Sequence, residues 1–420
     1  MADPRRVRSP GDIDYPLPAV LWSGIWMFLC RLGARRQINL LLRGSQGDAL
    51  FQTLFGCGFP HGDAMNNVMC RLDVRHVQEC VTRLVEMLID SKVLYPFRLL
   101  GRYFLIAVDG TGTLVYSKRH CPHCLTKTHH DKTLYYHNVL EAKLVCANGF
   151  AFSIMSEFIE NPEENVTKQD CELKAFYRLA KRLKARFPRL SVTLLMDGLF
   201  ANGTVFALCR KNHWGFFITL KDDQLSSVNE EFNELSRSVH PLVHHTGKDA
   251  AITQTFRWVN DIDYVDTARR HHKLNVVQCT EKRPTRTNAA EPQTTRFKWI
   301  SAFPLTEDNV IELCNQGGRL RWKIENEGFN IQKNGGYNLE HAYTNNETGI
   351  KVYYLLLQIA CILAQLIDKG SLLRQLFKRG FGSVKNFAFR LLEATRNVRL
   401  TPEDYRALLD ARIQIRFHPP

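Results

Sequence analysis

The sequence predicts an α/β protein with a mixed sheet and helices, interrupted by a β-rich insertion and preceded by a helical N-terminal domain. Three observations predict this class. In residues 1–98, apolar side chains recur with the period of a helix. From Tyr103 the pattern becomes strand-like, with three such runs in succession and then two more separated by helical segments. Short alternating runs return between Leu220 and Trp299, in a polar stretch rich in His and Thr.

The chain has 420 residues, which is enough to bury a full core and to form about two or three domains. Its 56 Lys and Arg outnumber its 42 Asp and Glu, which gives a net charge of +14. Such an excess is typical of nucleic-acid-binding proteins, although a generally basic soluble protein would also show it. The twelve cysteines lack the spacing of a small secreted domain, so we expect reduced thiols in a cytosol.

Two apolar segments resemble targeting or membrane sequences. The run at residues 15–33 follows several arginines, as in a signal peptide, but it contains Pro16 and Pro18 and no small-residue cleavage site follows it. The run Tyr353–Ile367 is short for a membrane span. We therefore expect both segments to be buried helices.

Two short apolar runs, FLIAVDG and VTLLMDG, each end in an aspartate followed by a glycine, which places Asp109 and Asp197 at the ends of two strands. Asn148-Gly149 is a hairpin signal between the second and third strands. The predicted order is β-β-β-α-β-α-β, which is the ribonuclease H-like plan. In that plan the first and fourth strands are neighbours, so we expect Asp109 and Asp197 to lie side by side.

The helix predicted for residues 168–187 is amphipathic, and Thr167 with Asp170 matches a capping box at its start. Its polar face carries a stripe of cations. This stripe would track a DNA backbone, or it is simply a solvated helix face. Its members are Lys174, Arg178, Lys181 and Arg182.

A third acid, Glu325, lies in a helix-like stretch, and together with the two aspartates it would form an all-oxygen site suited to Mg²⁺ or Mn²⁺. On an α-helix, Arg321 and Lys333 both fall within about 80° of Glu325. These cations would hold phosphate groups beside the metal. The alternative is an exposed helix with an Arg321–Glu325 salt bridge, and Glu327 is the weaker candidate for the third acid.

The segment RWKIENEGFN, followed by GYNLEH, resembles the C-terminal motif of bacterial insertion-sequence DDE transposases with the YREK signature. The resemblance extends to the blocks AVDGTG, KRHCPHCLTKTH, YYHNVLEAKLV, KQDCELKAF and LLMDGLFANG, and it covers roughly residues 95–365. The signature is incomplete: Gly318 stands where the tyrosine is expected. Gln332 stands at the lysine position, with Lys333 one residue late.

This resemblance implies that Asp109, Asp197 and Glu325 are the catalytic metal ligands for two Mg²⁺ or Mn²⁺ ions, with Asp109 bridging both. It also implies that Arg321 and Lys333 contact DNA phosphates. The implied reaction is cleavage of double-stranded DNA at the terminal inverted repeats of the element, followed by strand transfer into target DNA. A homodimer on DNA in the bacterial cytoplasm, without membrane association, is expected.

Two further groups of residues are candidates for a function. In related transposases an aromatic residue of the insertion stacks on a flipped base, a role open to Trp258 and Trp299, which could equally be core residues. Cys121 and Cys124, with four histidines nearby, are candidates for a structural Zn²⁺ site. The alternative is a basic, reduced hairpin near the active site.

The expected organisation has five parts. They are a helical domain at 1–98 that helps bind DNA, a first core part at 99–221, a β-rich insertion at 222–299, a second core part at 300–370 that carries the catalytic Glu, and a basic helical tail at 371–420. The alternatives to a transposase are a nuclease on the same core without strand transfer, a DNA-binding protein derived from a transposase, and a zinc-dependent binding module.

Overall fold

A computed structural model describes residues 3–5, 13–130, 132–164, 166–284, 292–371, 382–411 and 416–417, so parts of the expected tail lie outside the described residues. Helices dominate the first part of the chain. They are α1 (Leu17–Leu29), α2 (Arg36–Leu41), α3 (Gln46–Phe55), α4 (Gly62–Met69) and α5 (Val74–Asp90). In α5, the Asp73 side chain caps the helix by accepting from the Arg75 amide, and buried Val77, Val81 and Val85 line one face.

The described residues contain ten strands, which form one mixed sheet. They are β1 (Phe104–Tyr116), β2 (Leu125–His129), β3 (Lys132–Val145), β4 (Ala151–Ile159), β5 (Val192–Met196), β6 (Gly215–Thr219), β7 (Leu242–Thr246), β8 (Ile252–Val265), β9 (His271–Arg283) and β10 (Gln293–Ser301). The order is β2-β3-β1-β5-β6-β10-β9-β8-β7, and β4 also pairs with β3. The expected α/β class with a mixed sheet is therefore confirmed.

The centre of the sheet positions the two aspartates. Strand β3 pairs antiparallel with β1 and β4, whereas β1, β5 and β6 run parallel. Ala107 of β1 lies opposite Leu195 of β5. Asp109 and Asp197, each two residues further on, therefore lie side by side. Strand β5 ends just before Asp197, whereas β1 continues past Asp109 to Tyr116. The hairpin predicted at Asn148-Gly149 joins β3 to β4, with Gly149 at a φ of +86°.

Helix α6 (Glu172–Arg186) connects β4 to β5, but it does not begin with the predicted capping box. Its N-cap is Cys171, which makes no side-chain cap. The Asp170 carboxylate is already engaged, since it accepts from the Glu160 amide and from the Arg178 guanidinium. The expectation that Thr167 and Asp170 cap this helix is therefore wrong.

Two arginines of the predicted cation stripe on α6 are held by a neighbouring strand. Arg178 and Arg182 each donate to the Glu157 carboxylate of β4 at 2.6 Å. Their charge is therefore partly compensated within the protein.

The segment expected as an insertion continues the same sheet. It contains α8 (Ser226–Leu235) and strands β7 to β10, and it follows α7 (Gly203–Asn212) and β6. Strand β10 pairs antiparallel with β6, with Trp299 opposite Thr219. Backbone hydrogen bonds therefore join these strands to the strands that carry the aspartates.

The stretch after β10 changes helical pitch several times. It begins with α9 (Val310–Glu312), continues as a π-helix over Leu313–Gly317 and a 3₁₀ turn over Gly318–Arg321, and ends with a second π-helix at Ile324–Phe329 and α10 (Asn330–Asn334). Glu325 lies within the second π-helix. The uniform α-helix assumed from the sequence is therefore wrong here.

Helix α11 (Glu347–Lys369) packs against α1, α5 and β4 and so joins the N-terminal helices to the sheet. It is 23 residues long, longer than its apolar run indicated, and by length and composition it is the only helix in the described ranges that could cross a membrane. However, 72% of its most apolar window is buried within the protein, as in a core helix.

The described part of the C-terminal tail returns to the N-terminal helices. Helices α12 (Val384–Asn397) and α13 (Pro402–Asp410) both pack against α3. The Trp26 indole of α1 donates to the Thr395 hydroxyl at 2.9 Å. This part of the tail is therefore docked on the helical domain.

Candidate active site

Asp109 and Asp197 are both half-buried, and local amides orient both side chains. Asp109 lies within β1, opposite Glu141 of β3, so the expectation that it ends its strand is wrong. Asp197 directly follows β5, as expected. Asp109 Oδ1 accepts from the Gly110 amide at 3.0 Å, and Asp197 Oδ1 accepts from the Leu199 amide at 3.0 Å. Burial raises the pKa of Asp109; the Arg321 guanidinium opposes this, and the charges of Asp197 and Glu325 add to it. Asp109 is therefore within electrostatic range of both Asp197 and Glu325, but the three carboxylates do not all lie within 4.8 Å of one another.

Glu325 projects from a segment that is anchored on both sides. Ile324 and Phe329 are buried in the core, and the segment packs against β1 and β4. The Glu325 side chain itself is exposed. This third acid therefore lies on the open side of the site, where a ligand can reach it.

A buried polar network supports this segment from below. Lys143 of β3 is fully buried and donates to Gln358 of α11 at 2.7 Å, and Gln332 of α10 donates to the same oxygen at 2.8 Å. The Lys143 stem passes under Gly328, where a Cβ would lie 3.1 Å from it. These contacts fix the Glu325 segment to the sheet and to α11.

Arg321 does not form the helical salt bridge that the sequence allowed. It is 8% exposed and its Nη1 donates to Asp109 Oδ2 at 3.2 Å. Among the described residues, the i,i+4 ion pair of this segment is Lys323–Glu327, at 2.8 Å. Arg321 therefore belongs to the acid cluster, and Glu327 is held by another partner.

A fourth carboxylate, Glu172, borders the site and was not among the predicted site residues. Burial raises its pKa, and the charges of Asp109 and Asp197 raise it further. Its carboxylate lies against Gly110, where a Cβ would overlap it. The only sequence signal was an acid at the start of the helix that follows the hairpin. The neighbourhood of Asp109 depends on contacts between elements distant in sequence.

The remaining predicted phosphate ligand, Lys333, has a partner of its own. Its ammonium lies 3.1 Å from the Glu340 carboxylate. The structure therefore brings Arg321, but not the Lys333 charge, into contact with an acid of the cluster.

The two tryptophans predicted for base stacking have different environments. Trp299 is 3% exposed, stacks on Phe297 with ring centroids 5.7 Å apart, and leaves no room for a Cβ on Gly318. Trp258 is partly buried against the same apolar cluster. Trp322, which was not singled out from the sequence, is 48% exposed, and the Arg321 guanidinium lies 4.3 Å from its ring. Trp322 is therefore the open aromatic surface beside the acids.

Away from the acids, Cys121 and Cys124 meet His137 of β3. All three are buried, and their ligand atoms lie within 4.8 Å of one another. Among the described residues, no other group of three or more His, Cys, Asp or Glu side chains brings its ligand atoms this close together. It is a candidate metal-binding triad, and His137 was not predicted as its third member.

The acid cluster offers only oxygen ligands and one guanidinium, a combination suited to hard cations and phosphate groups. No protein-family model matches the sequence, and no functionally characterised protein matches it. The activity must therefore be inferred from the site itself.

Proposed function

We propose that this protein is a DDE transposase that cleaves DNA at insertion-sequence ends and transfers the cut strand into target DNA. One observation carries the proposal: three acids from separate elements share one electrostatic environment. Asp109 lies within the central strand β1, Asp197 follows its parallel neighbour β5, and the segment with Glu325 packs on β1. The sequence resemblance assigns the catalytic role to these same three residues.

The strand order supports a ribonuclease H-like core. The five strands around the site follow the order β4-β3-β1-β5-β6, with an antiparallel meander and then two parallel strands. This is the order inferred from the sequence, and α6 and α7 supply its connections. The strands β7 to β10 then extend this core at the β6 side.

Carboxylate oxygens are the ligands that divalent cations such as Mg²⁺ prefer, and in this structure the oxygens of the three acids are not all within 4.8 Å of one another. Half-buried carboxylates that repel one another are costly to ionise, in keeping with the raised pKa of Asp109, and a cation would offset that cost. Asp109, Asp197 and Glu325 would hold two Mg²⁺ or Mn²⁺ ions, with Asp109 shared. Such ions supply activation of the attacking oxygen and stabilisation of charge on the phosphate.

The proposed reaction has two phosphoryl transfers. Water attacks the phosphorus at the element end, the bond to the 3′ oxygen breaks, and a 3′ hydroxyl is released. That hydroxyl then attacks a target phosphodiester and displaces its 3′ oxygen, so no nucleotide cofactor is consumed. Arg321 would donate to a phosphate oxygen near Asp109, and the exposed face of Trp322 would stack on an unpaired base.

The proposed partner is double-stranded DNA, in keeping with the net charge of +14. Two chains would pair the two ends of the element, with the N-terminal helices helping to bind the inverted repeats. The protein would work in the bacterial cytoplasm, at the nucleoid.

The test uses labelled duplexes carrying the inverted repeats that flank the gene, supercoiled plasmid as target, and Mg²⁺. With Mg²⁺ we expect cleavage at the repeat end and joined products that contain both DNAs. In a buffer without divalent cations we expect neither. Cleavage without any joined product would favour the nuclease. Specific binding without cleavage would favour the transposase-derived DNA-binding protein.

A further inference from the structure

Three side chains converge beneath the loop between β1 and β2. Cys121 Sγ lies 3.5 Å from Cys124 Sγ, and both sulfurs lie 3.5 Å from His137 Nε2. The cysteines are 6% and 0% exposed and the histidine 8%, and both thiols are free. The ligand atoms therefore form a nearly equilateral triangle in the protein interior.

The distances between the three ligand atoms are compatible with a tetrahedral Zn²⁺ ion. Tetrahedral Zn²⁺ with bonds of about 2.3 Å to sulfur and about 2.0 Å to nitrogen places two sulfurs about 3.8 Å apart, and each sulfur about 3.5 Å from the nitrogen. The observed edges agree with these values to about 0.3 Å. A disulfide would instead require sulfurs about 2.0 Å apart. We propose that Cys121, Cys124 and His137 bind one structural Zn²⁺ ion.

His120 is the candidate for the fourth position, and its side chain would have to move to fill it, because its ring nitrogens do not lie within 4.8 Å of all three ligand atoms. Its Nε2 is buried, and no described residue forms a hydrogen bond with it. Its ring stacks on Tyr116, and its centroid lies 6.1 Å from that of His137. A buried ring nitrogen without a partner is costly, and bonding to a metal would remove that cost.

The ion would lock the β1–β2 loop onto the segment that leads into α6. Cys124 O accepts from Asn161 Nδ2 at 2.9 Å, and the His123 amide carbonyl accepts from the Asn161 amide at 3.1 Å. Asn161 Oδ1 in turn accepts from the Asp170 amide at 3.1 Å. The zinc site is thus connected to the start of the helix that carries Glu172.

The first experiment measures the metal content of the full-length protein purified without chelator. Elemental analysis should give one zinc per chain. The variants Cys121→Ser, Cys124→Ser and His137→Gln should each lose it, whereas the matched control Cys80→Ser, at an exposed cysteine of α5, should keep it. Absence of zinc in the wild type, together with no uptake of added Zn²⁺, would overturn the proposal. Two fewer thiols blocked by alkylation of the denatured, metal-free protein before reduction than after it, which indicates a disulfide, would also overturn it.

A second experiment uses only the wild-type chain, so it does not depend on the folding of variants. A zinc chelator should lower the melting temperature and increase hydrogen–deuterium exchange of residues 166–172, and Zn²⁺ but not Mg²⁺ should restore both. Unchanged values after complete metal removal would overturn the structural role. These readouts involve no DNA, so they are independent of the proposed transposase activity.

The place of His120 has its own test. We expect His120→Ala to retain zinc but to release it about tenfold or more readily to a competing chelator, as for loss of a supporting ligand. Unchanged competition would overturn the assignment of His120 and leave that position to solvent. The cobalt-substituted protein should show the intense visible bands of a tetrahedral thiolate site.

Discussion

The Arg321 guanidinium and the Asp109 carboxylate form a 3.2 Å ion pair between residues separated by 212 positions in the sequence. The pair joins the pitch-changing stretch after β10 to the central strand. It also places a fixed positive charge on the acid that the proposal assigns to both metal ions. On that proposal, Arg321 and a divalent cation would interact with the same carboxylate.

Removal of this guanidinium should destabilise the protein in the absence of divalent ions. Arg321→Ala leaves Asp109 half-buried beside other acids, and we expect a loss of about 2 kcal/mol in the free energy of unfolding, measured by urea denaturation. Mg²⁺ should raise the melting temperature of this variant more than that of the wild type. An equal increase of the melting temperature in the variant and in the wild type would contradict competition between Arg321 and Mg²⁺ for Asp109. Arg319→Ala, whose partner is Glu281, is the matched control.

Each of the three acids should be required for DNA cleavage. Asp109→Asn, Asp197→Asn and Glu325→Gln remove one carboxylate charge but little volume, so we expect at least about a hundredfold slower cleavage with the fold retained. Glu327→Gln, whose carboxylate is paired with Lys323, should cleave normally. Circular dichroism checks the fold. If Asp197→Asn and Glu325→Gln cleaved at the wild-type rate, the metal site would lie elsewhere.

Glu172→Gln should be more stable than the wild type at neutral pH. Because the folded-state pKa of Glu172 is raised, folding opposes its ionisation, and stability is lost as pH rises from the ordinary carboxyl pKa through the raised one. The variant lacks this loss, so its melting temperature should exceed that of the wild type at pH 7, and the difference should vanish below about pH 4. A constant difference at all pH values would point to packing instead of charge.

The contact between Gly110 and Glu172 can be tested with a matched pair of glycines. Gly110→Ala should lower the melting temperature and slow DNA cleavage, because a Cβ there overlaps the Glu172 carboxylate. Gly112→Ala should be mild, since its nearest neighbour is Asn138 at 3.5 Å. Combining Gly110→Ala with Glu172→Ala should recover the lost stability. No recovery would show that the defect comes from the strand backbone.

Substitution of the buried Trp299 should affect stability, whereas substitution of the exposed Trp322 should affect DNA binding. Trp299→Ala removes a buried ring and should cost about 3–5 kcal/mol of unfolding free energy. Trp322→Ala removes an exposed ring and should leave stability nearly unchanged, while weakening binding of DNA with an unpaired base at the cut end by about tenfold. Fluorescence anisotropy measures the binding. Equal binding by Trp322→Ala and the wild type would exclude stacking on this residue.

The sequence was most informative where the deciding contacts are local or follow from strand order. The adjacency of Asp109 and Asp197 required only the alternation of strands and helices and the parallel pairing it implies. The sequence placed Arg321 beside the acids, but its partner Asp109 could not be predicted, because the phase of Arg321 was calculated for a uniform α-helix. Glu172 and His137 were missed because tertiary packing, not spacing in the chain, brings them to their neighbours.

The π-helical turn at Ile324–Phe329 changes the angular position of Lys333 relative to Glu325. In a continuous α-helix a lysine seven residues after Glu325 would lie about 20° from it, and one eight residues after would lie about 80° away. A π turn closes its hydrogen bonds one residue later and so absorbs one residue. Lys333 thus regains the phase of the seven-residue spacing. A helix can accommodate one additional residue as a π-bulge in this way, and the residues on both sides keep their orientation.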